Sequence, residues 1–219
     1  MAVPSPSIPA NDKAPANDKA ALRAEFRARR KAYAASLDPA TRFALEAGLA
    51  LALEPFLIEA RVVAAYQPMT DEPSPLPALA RAAALGKLTA LPAFLMRDSR
   101  MTFRSGLATE PGPWGLLQPP LDGAPLAPDL VLLPLVACDR RGNRIGMGKG
   151  HYDRALEALR GTARLVGIGW DFQLLDDRQL LDDRQLLDDR QLLNERFEPD
   201  PWDQPLDAFA SPSGLREFT

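Results

Sequence analysis

The segment from Arg144 to Arg154 has the residue types and spacing that most clearly suggest chemistry. It reads Arg-Ile-Gly-Met-Gly-Lys-Gly-His-Tyr-Asp-Arg, with a glycine at every second position of its centre. Such glycines let backbone N–H groups approach an anion closely, and a following helix adds a favourable dipole. The pattern fits neither the Walker A motif nor the dinucleotide fingerprint, so the glycines alone leave a phosphate site and a structural turn open. Three cations among them, Arg144, Lys149 and Arg154, favour phosphate.

A second group of cations falls on one face of a helix predicted near the N-terminus. Lys19, Arg23, Arg27 and Arg30 lie within about 80° of one another on a helical wheel. Like charges four residues apart repel, and cations in the first turn oppose the helix dipole. We therefore expect an anion to compensate them. The alternative is a solvated basic face, and it applies above all to Arg27 and Arg30.

Several segments together resemble the 5-formyltetrahydrofolate cyclo-ligase family. The longest is Pro128 to Arg154, which is similar to the family signature. Lys19 to Arg23 resembles the N-terminal segment whose Lys and Arg contact ATP, and Tyr66 to Glu72 resembles the folate-side segment. Pro113-Trp114-Gly115 resembles the tryptophan loop, and Trp202 to Asp207 the acidic segment that supplies a magnesium carboxylate.

The resemblance implies an ATP- and Mg²⁺-dependent enzyme that converts 5-formyltetrahydrofolate to 5,10-methenyltetrahydrofolate and releases ADP and phosphate. It implies catalytic roles for Arg144 and Lys149, magnesium ligation by Asp153 and Asp203, and folate contacts from Tyr66, Glu72, Trp114 and Tyr152. The implied ATP-binding residues are Lys19, Arg23, Arg144, Ile145, Gly146, Met147, Gly148, Lys149, Gly150, His151 and Tyr152.

Three positions depart from the pattern of that family. His151 stands where Tyr or Phe is usual, Pro73-Ser74-Pro75 replaces Val-Asp-Thr, and Gln118 replaces an acid. We expect His151 to line the folate pocket as a flat ring rather than to act as a base. Two alternatives stay open: a non-catalytic folate- or nucleotide-binding paralogue, and an ATP-independent enzyme similar to sugar-phosphate isomerases or CoA transferases.

The elements that must position these residues alternate between strands and helices. Strands are predicted at 61–66, 87–94, 101–105, 128–138 and 163–170, and helices at 18–37, 39–53, 76–85 and 151–160. This order predicts an α/β fold with a mostly parallel sheet. The resemblance implies a three-layer α/β/α arrangement that is Rossmann-like and CoA-transferase-like.

One domain is expected over 18–219, preceded by a disordered tail at 1–17 that is rich in Pro and Ala. The exception is 173–196, where Gln-Leu-Leu-Asp-Asp-Arg occurs three times before Gln-Leu-Leu-Asn-Glu-Arg. A period of six residues forms no continuous apolar seam on a helix, so a coiled coil is not expected. We interpret the block as a solvated, partly helical insertion, with a binding or dimerisation arm as the alternative.

The composition restricts the possible partners. A net charge of −3 creates no field that would attract nucleic acid, and no apolar run is long enough to span a membrane. The first residues lack the features of a secretory signal or a transit peptide. Cys138, the only cysteine, is expected to be a buried thiol. We expect a cytoplasmic monomer that binds small molecules.

Overall fold

The computed structural model of the protein describes residues 19–148, 150–175 and 199–218. The tail predicted at 1–17, the first residue of the helix predicted at 18–37, Lys149 and most of the repeats lie outside these residues. The described helices are α1 (Lys19–Ser36), α2 (Pro39–Ala52), α3 (Glu54–Glu59), α4 (Leu76–Ala84) and α5 (His151–Leu156). The described strands are β1 (Val62–Ala64), β2 (Leu88–Ala93), β3 (Thr102–Arg104), β4 (Glu110–Pro111), β5 (Leu117–Gln118), β6 (Leu130–Pro134), β7 (Ala137–Cys138), β8 (Arg144–Ile145), β9 (Arg164–Ile168), β10 (Ala208–Ser211) and β11 (Gly214–Glu217).

Seven strands form one sheet in the order β11-β10-β9-β6-β1-β2-β3. The five inner strands pair in parallel, and only the edge strands β11 and β3 run antiparallel. The predicted α/β fold with a mostly parallel sheet is therefore confirmed. The strand order reverses between β1 and β6, and open α/β sheets bind ligands beyond the carboxyl ends of strands at such a point.

Helices cover both faces of the sheet because side chains of the inner strands alternate between two apolar clusters. On β6, Leu130 and Leu132 pack with residues of α2, α3 and α4. Val131 and Leu133 point to the opposite face and pack with Leu156 of α5. Strands that are buried on both faces carry continuous apolar runs, which is why this strand was visible in the sequence. The three-layer arrangement is confirmed.

The first two helices begin and end close to where the sequence predicts. Asp38 caps α2, because its Oδ1 accepts hydrogen bonds from the backbone N–H groups of Ala40 and Thr41 at 2.9 and 3.0 Å. On α1, Leu22 and Phe26 are buried in a small cluster with residues of the β7–β8 hairpin. This packing places the N-terminal half of α1 beside the Gly-rich loop. Among the helices of the described ranges, none has the length and apolar character needed to cross a membrane.

The prediction of a single strand at 128–138 is wrong. The chain leaves the main sheet after Pro134, and β7 then pairs with β8 in a separate hairpin. The carbonyls of Leu135 and Val136 accept hydrogen bonds from the side-chain amide of Gln173 at 3.0 and 2.9 Å. A side chain thus supplies the donors that the backbone of a paired strand would otherwise supply. Cys138 is buried in β7 as expected, and burial raises the pKa of its thiol well above the usual value.

Other elements were absent from the sequence prediction or had different lengths. The short helix α3, the hairpin β4–β5 and the C-terminal pair β10–β11 were not predicted. The helix predicted at 151–160 ends at Leu156 and continues as a 3-10 turn over Glu157–Leu159. All three unpredicted elements are short, and short segments carry too few residues to show a period.

The first three residues of the repeat block belong to the folded body. Gln173 is fully buried, and Leu175 packs beside α1. The start of the predicted insertion is thus part of the folded structure, and its remaining residues at 176–196 lie outside the described ranges. The insertion stays a prediction.

We predict that deleting Gln179 to Arg190, two whole repeats, changes the free energy of unfolding by less than about 1 kcal/mol, because loop length has a weak effect on stability. Chemical denaturation measures this change. The control is Gln173→Ala, which should cost about 1–3 kcal/mol because it removes the side-chain partner of the Val136 carbonyl and of the Trp170 backbone N–H. Insoluble or strongly destabilised deletion protein would show that the repeats carry structure.

Candidate active site

A cleft of about 680 Å³ opens beyond the carboxyl ends of β1, β2 and β6, at the reversal of strand order. Gln67 follows β1 at its wall, Phe94 follows β2, and Pro134 ends β6. Every described residue that the sequence assigned to binding, catalysis or metal lines this cleft: Lys19, Arg23, Tyr66, Glu72, Trp114, Arg144, Ile145, Gly146, Met147, Gly148, Gly150, His151, Tyr152, Asp153 and Asp203. Lys149 lies outside the described residues. The individual roles stay predictions.

The Gly-rich loop connects β8 to α5 at one end of the cleft. Gly148 has a φ of +82°, a conformation that L side chains rarely adopt, and an added Cβ would lie 3.3 Å from Cζ of Arg23. Arg23 also donates from Nε to the carbonyl of Gly146 at 2.7 Å. Its guanidinium therefore lies directly on the loop. Arg27 of the same helix lines the cleft but is exposed.

Arg144 is held rigidly beneath this loop. Its side chain is 6% exposed, and its Nη2 donates to Oδ1 of Asp153 at 2.5 Å. The buried Nε–H has no hydrogen-bond partner within the part of the chain that the structure describes. A buried guanidinium with an unused donor beside a cleft is suited to bind an anion.

Lys19 connects the N-terminal helix to the C-terminal segment. Its ammonium donates to Asp200 at 2.7 Å and to Asp203 at 2.8 Å. Burial by itself would lower the pKa of Lys19, but the hydrogen bonds and charges of the two carboxylates outweigh that effect and raise it. Asp200 was not anticipated from the sequence. Its signal was the spacing Asp-Pro-Trp-Asp, which lets two carboxylates converge on one cation.

The carboxylates of the cleft fit a magnesium ion that is bound together with phosphate. Asp153 and Asp203 line the same cleft and offer the hard oxygen ligands that Mg²⁺ prefers. Among the described residues, no group of three or more His, Cys, Asp or Glu side chains could enclose a metal. One or two carboxylates are sufficient when waters and phosphate oxygens supply the remaining ligands.

The opposite wall carries Tyr66, Glu72 and Tyr152. The hydroxyl of Tyr66 donates to the carbonyl of Pro73, and Glu72 accepts from the backbone N–H of Met69 at 2.9 Å. Burial raises the pKa of Glu72, and burial followed by the charge of Glu72 raises the pKa of both tyrosines. The wall therefore holds two neutral phenols beside a buried carboxylate that is paired with the guanidinium of Arg30.

Three rings form an aromatic wall over the rest of the cleft. The ring centroids of Phe94, Trp114 and His151 are 5.0–5.2 Å apart in all three pairs. Nδ1 of His151 also lies 3.1 Å from Nη2 of Arg154. The imidazole thus packs among flat rings, and the assignment of His151 to folate or to ATP stays a prediction. Phe94 was not anticipated, because a single phenylalanine after a strand resembles ordinary core.

Arg30 shows that a solvated basic face is the wrong interpretation for this residue. Its side chain is 1% exposed. Its Nε donates to Asp71 at 2.9 Å, and its Nη1 donates to Glu72 at 3.3 Å and to the carbonyl of Leu135 at 3.1 Å. The anions that compensate this cation are therefore Asp71 and Glu72, which lie more than 40 residues away in the chain.

Comparisons with known proteins agree on one family. The sequence profile described as the 5-formyltetrahydrofolate cyclo-ligase family matches residues 15–180. A 5-formyltetrahydrofolate cyclo-ligase of Mycolicibacterium smegmatis is 32% identical over 133 residues, which cover 55% of this chain and 67% of that protein. The protein of the same name in Escherichia coli K12 is 32% identical over 106 residues, which cover 46% of this chain and 48% of that protein.

Solved structures support the fold. A 5,10-methenyltetrahydrofolate synthetase from Mycoplasma pneumoniae has a TM-score of 0.63 at 22% identity, covering 89% of this chain and 99% of that one. The NMR structure of the Aquifex aeolicus protein with that name has a TM-score of 0.68 at 24% identity, covering 91% and 92%. At these identities the likeness establishes the same architecture.

We predict that Arg30→Met lowers the free energy of unfolding by about 3–5 kcal/mol, because it leaves carboxylates buried without their cation. Denaturant titration provides the measurement. Lys31→Met, an exposed change on the same helix, should stay within about 0.5 kcal/mol of the wild type. A loss below about 1 kcal/mol for Arg30→Met would mean that the buried ion pairs matter little.

Proposed function

The chain belongs to the 5-formyltetrahydrofolate cyclo-ligase family, and we propose that it converts 5-formyltetrahydrofolate to 5,10-methenyltetrahydrofolate with consumption of ATP in the presence of Mg²⁺. One observation carries the proposal: a single cleft has cations and carboxylates at one end and an aromatic wall at the other. A nucleotide triphosphate and a flat heteroaromatic substrate need these two surfaces. The proposal places the reaction in the cytoplasm of the cell, in a monomer with small-molecule partners.

The chemical difficulty is that the oxygen of an N-formyl group is a poor leaving group. In the proposed sequence that oxygen attacks the γ-phosphorus, the bond to the β-phosphate oxygen breaks, and ADP leaves. N10 then forms a bond with the activated formyl carbon and loses its proton to solvent. The carbon–oxygen bond finally breaks, so phosphate departs with the original formyl oxygen and the methenyl cation remains.

The residues of the loop end neutralise charge during the phosphoryl transfer. Phosphoryl transfer depends mainly on positioning and electrostatic stabilisation, because little covalent chemistry is left for the protein. The contact of Arg23 with the Gly-rich loop and the pairing of Arg144 with Asp153 support this role for the two arginines. Lys19 and Lys149 add further positive charge. Mg²⁺, when bound by Asp153 and Asp203, would neutralise charge on the phosphate oxygens.

The aromatic end orients the folate. Flat rings at the wall provide apolar surface for a pterin and exclude water from the activated carbon, where hydrolysis would compete. Glu72 and Tyr152 supply polar atoms at the same wall and can bind the polar edge of the ring. Arg30 keeps Glu72 in place from behind.

We predict that the purified protein forms 5,10-methenyltetrahydrofolate only when 5-formyltetrahydrofolate, ATP and Mg²⁺ are all present. The measurement is a spectrophotometric assay with each component omitted in turn. Turnover without nucleotide would contradict the proposal, and binding of the folate without any turnover would identify a non-catalytic paralogue.

We predict that Asp153→Asn and Asp203→Asn each lower kcat at least about tenfold, a loss of ~1.4 kcal/mol or more, because an amide binds Mg²⁺ more weakly than a carboxylate. Excess Mg²⁺ should recover part of the loss. The measurement is initial rate against Mg²⁺ concentration.

Asp200→Asn is the matched control for Asp203→Asn. It also removes a carboxylate from Lys19 but is not assigned to the metal, so its rate should show the wild-type dependence on Mg²⁺. Wild-type kinetics in both Asp153→Asn and Asp203→Asn would remove the metal assignment. An equal shift in all three variants would attribute the effect to charge alone.

A further inference from the structure

The side chain of Gln118 makes an unusual pair of hydrogen bonds at the cleft wall. Its Oε1 accepts from the backbone N–H of Phe94 at 3.0 Å, and its Nε2 donates to the carbonyl of the same residue at 3.1 Å. Gln118 is 5% exposed. An amide carries both a donor and an acceptor, whereas a carboxylate only accepts and a methionine offers no comparable donor. The side chain thus serves Phe94 as a neighbouring strand would.

Gln118 belongs to a short hairpin. Its strands β4 and β5 are two residues long, and so small a hairpin is marginal alone. The turn between them contains Trp114 at a φ of +64°, the only non-glycine residue of the described chain with a positive φ. A bulky residue keeps this strained conformation only when its surroundings hold it. The bond pair from Gln118 joins the hairpin to the end of β2.

The same two segments carry two of the three rings of the aromatic wall. Phe94 lies at the end of β2, Trp114 lies at the tip of the hairpin, and their ring centroids are 5.1 Å apart at an interplanar angle of 89°. Both rings also contact His151 at the start of α5. Any movement of the hairpin relative to β2 would separate Trp114 from the other two rings.

We infer that Gln118 is a positioning residue that fixes the aromatic wall before the substrate binds. It touches no reacting atom and acts through Phe94 and Trp114. A wall that is already ordered spares the ligand the cost of ordering it, so the bond pair increases affinity for a flat heteroaromatic ligand. The identity of that ligand as a folate rests on the proposed function. The phosphate end of the cleft does not depend on the bond pair from Gln118, because Arg23 and Arg144 are held by other partners.

Two substitutions at Gln118 distinguish the effect of losing the bond pair from the effect of adding a charge. Gln118→Met keeps the approximate length of the side chain without either hydrogen bond, and Gln118→Glu keeps an acceptor but loses the donor and adds a charge. We expect each to raise the dissociation constant for 5-formyltetrahydrofolate about tenfold or more, measured by isothermal titration. The dissociation constant for ATP should change by less than about twofold.

Fluorine NMR of protein labelled with 5-fluorotryptophan reports the wall without any ligand. The signal of Trp114, assigned with Trp114→Phe, should shift or broaden in both Gln118 variants. The signals of Trp170, which is fully buried, and Trp202 should remain and thereby show that the fold is intact. Gly112→Ala provides a second route to the same wall, because the added Cβ would lie 2.7 Å from Oε1 of Gln118 and 2.9 Å from the carbonyl oxygen of Leu116 and would displace the amide and the turn of the hairpin.

The outcomes are distinguishable. An unchanged Trp114 signal and unchanged folate affinity in Gln118→Met overturn the inference, as does a loss of affinity in Gln118→Glu alone, which would be an effect of charge. If the Gln118 variants do not fold, the same two measurements on Gly112→Ala decide. If the wild type binds no 5-formyltetrahydrofolate while the Trp114 signal responds to Gln118→Met, the proposed function is wrong and the positioning role of Gln118 is supported.

Discussion

A guanidinium that is buried beneath the cleft must find anions, and much of the site depends on how Arg30 meets this requirement. A buried charge without partners is very costly, so the chain must bring Asp71, Glu72 and the carbonyl of Leu135 to it. This constraint fixes α1 against both the loop after β1 and the end of β6. Arg42 reinforces it by donating to the carbonyls of Thr70 and Glu72 at 2.7 Å each.

The reversal of strand order places the network of Arg30 beside the cleft. After β1 the next strand of the sheet, β2, lies on one side, and after β6 the next strand, β9, lies on the other side. A crevice therefore opens between β1 and β6, and α1 lies across it. The charged end of the crevice is then built from α1, the Gly-rich loop and the C-terminal segment, and the aromatic end from β2, the hairpin and the start of α5. The two ends share the buried wall of Glu72 and Tyr152, and α5 contributes His151 to the aromatic end and Asp153 to the charged end.

The sequence predicted features that arise within a few residues. The positions of α1 and α2, the apolar run of β6 and the burial of Cys138 depend on neighbours along the chain, so periodicity and composition reveal them. The resemblance supplied the residues that meet in the cleft.

The features that the sequence did not reveal depend on distant partners. The break after Pro134 is stabilised by Gln173 at a separation of 37 or 38 residues, and the bonds of Gln118 span 24 residues. Arg30 looked like its exposed neighbours until Asp71 and Glu72 were in place. No local pattern encodes such pairings, because glutamine, arginine, aspartate and glutamate usually occur on protein surfaces.

The contact between Lys19 and Asp203 joins residues that are 184 positions apart. A ribosome that adds about 5–20 residues per second needs roughly 9 to 37 seconds to make that stretch. During synthesis, helix α1 therefore emerges long before the carboxylates that neutralise its first lysine. Nascent chains expose a basic helix during this interval, and any chain that stops before residue 200 lacks both carboxylates and the strand β10. The end of the cleft that contains Lys19, Asp200 and Asp203 is thus completed last, so an unfinished chain lacks part of the cleft.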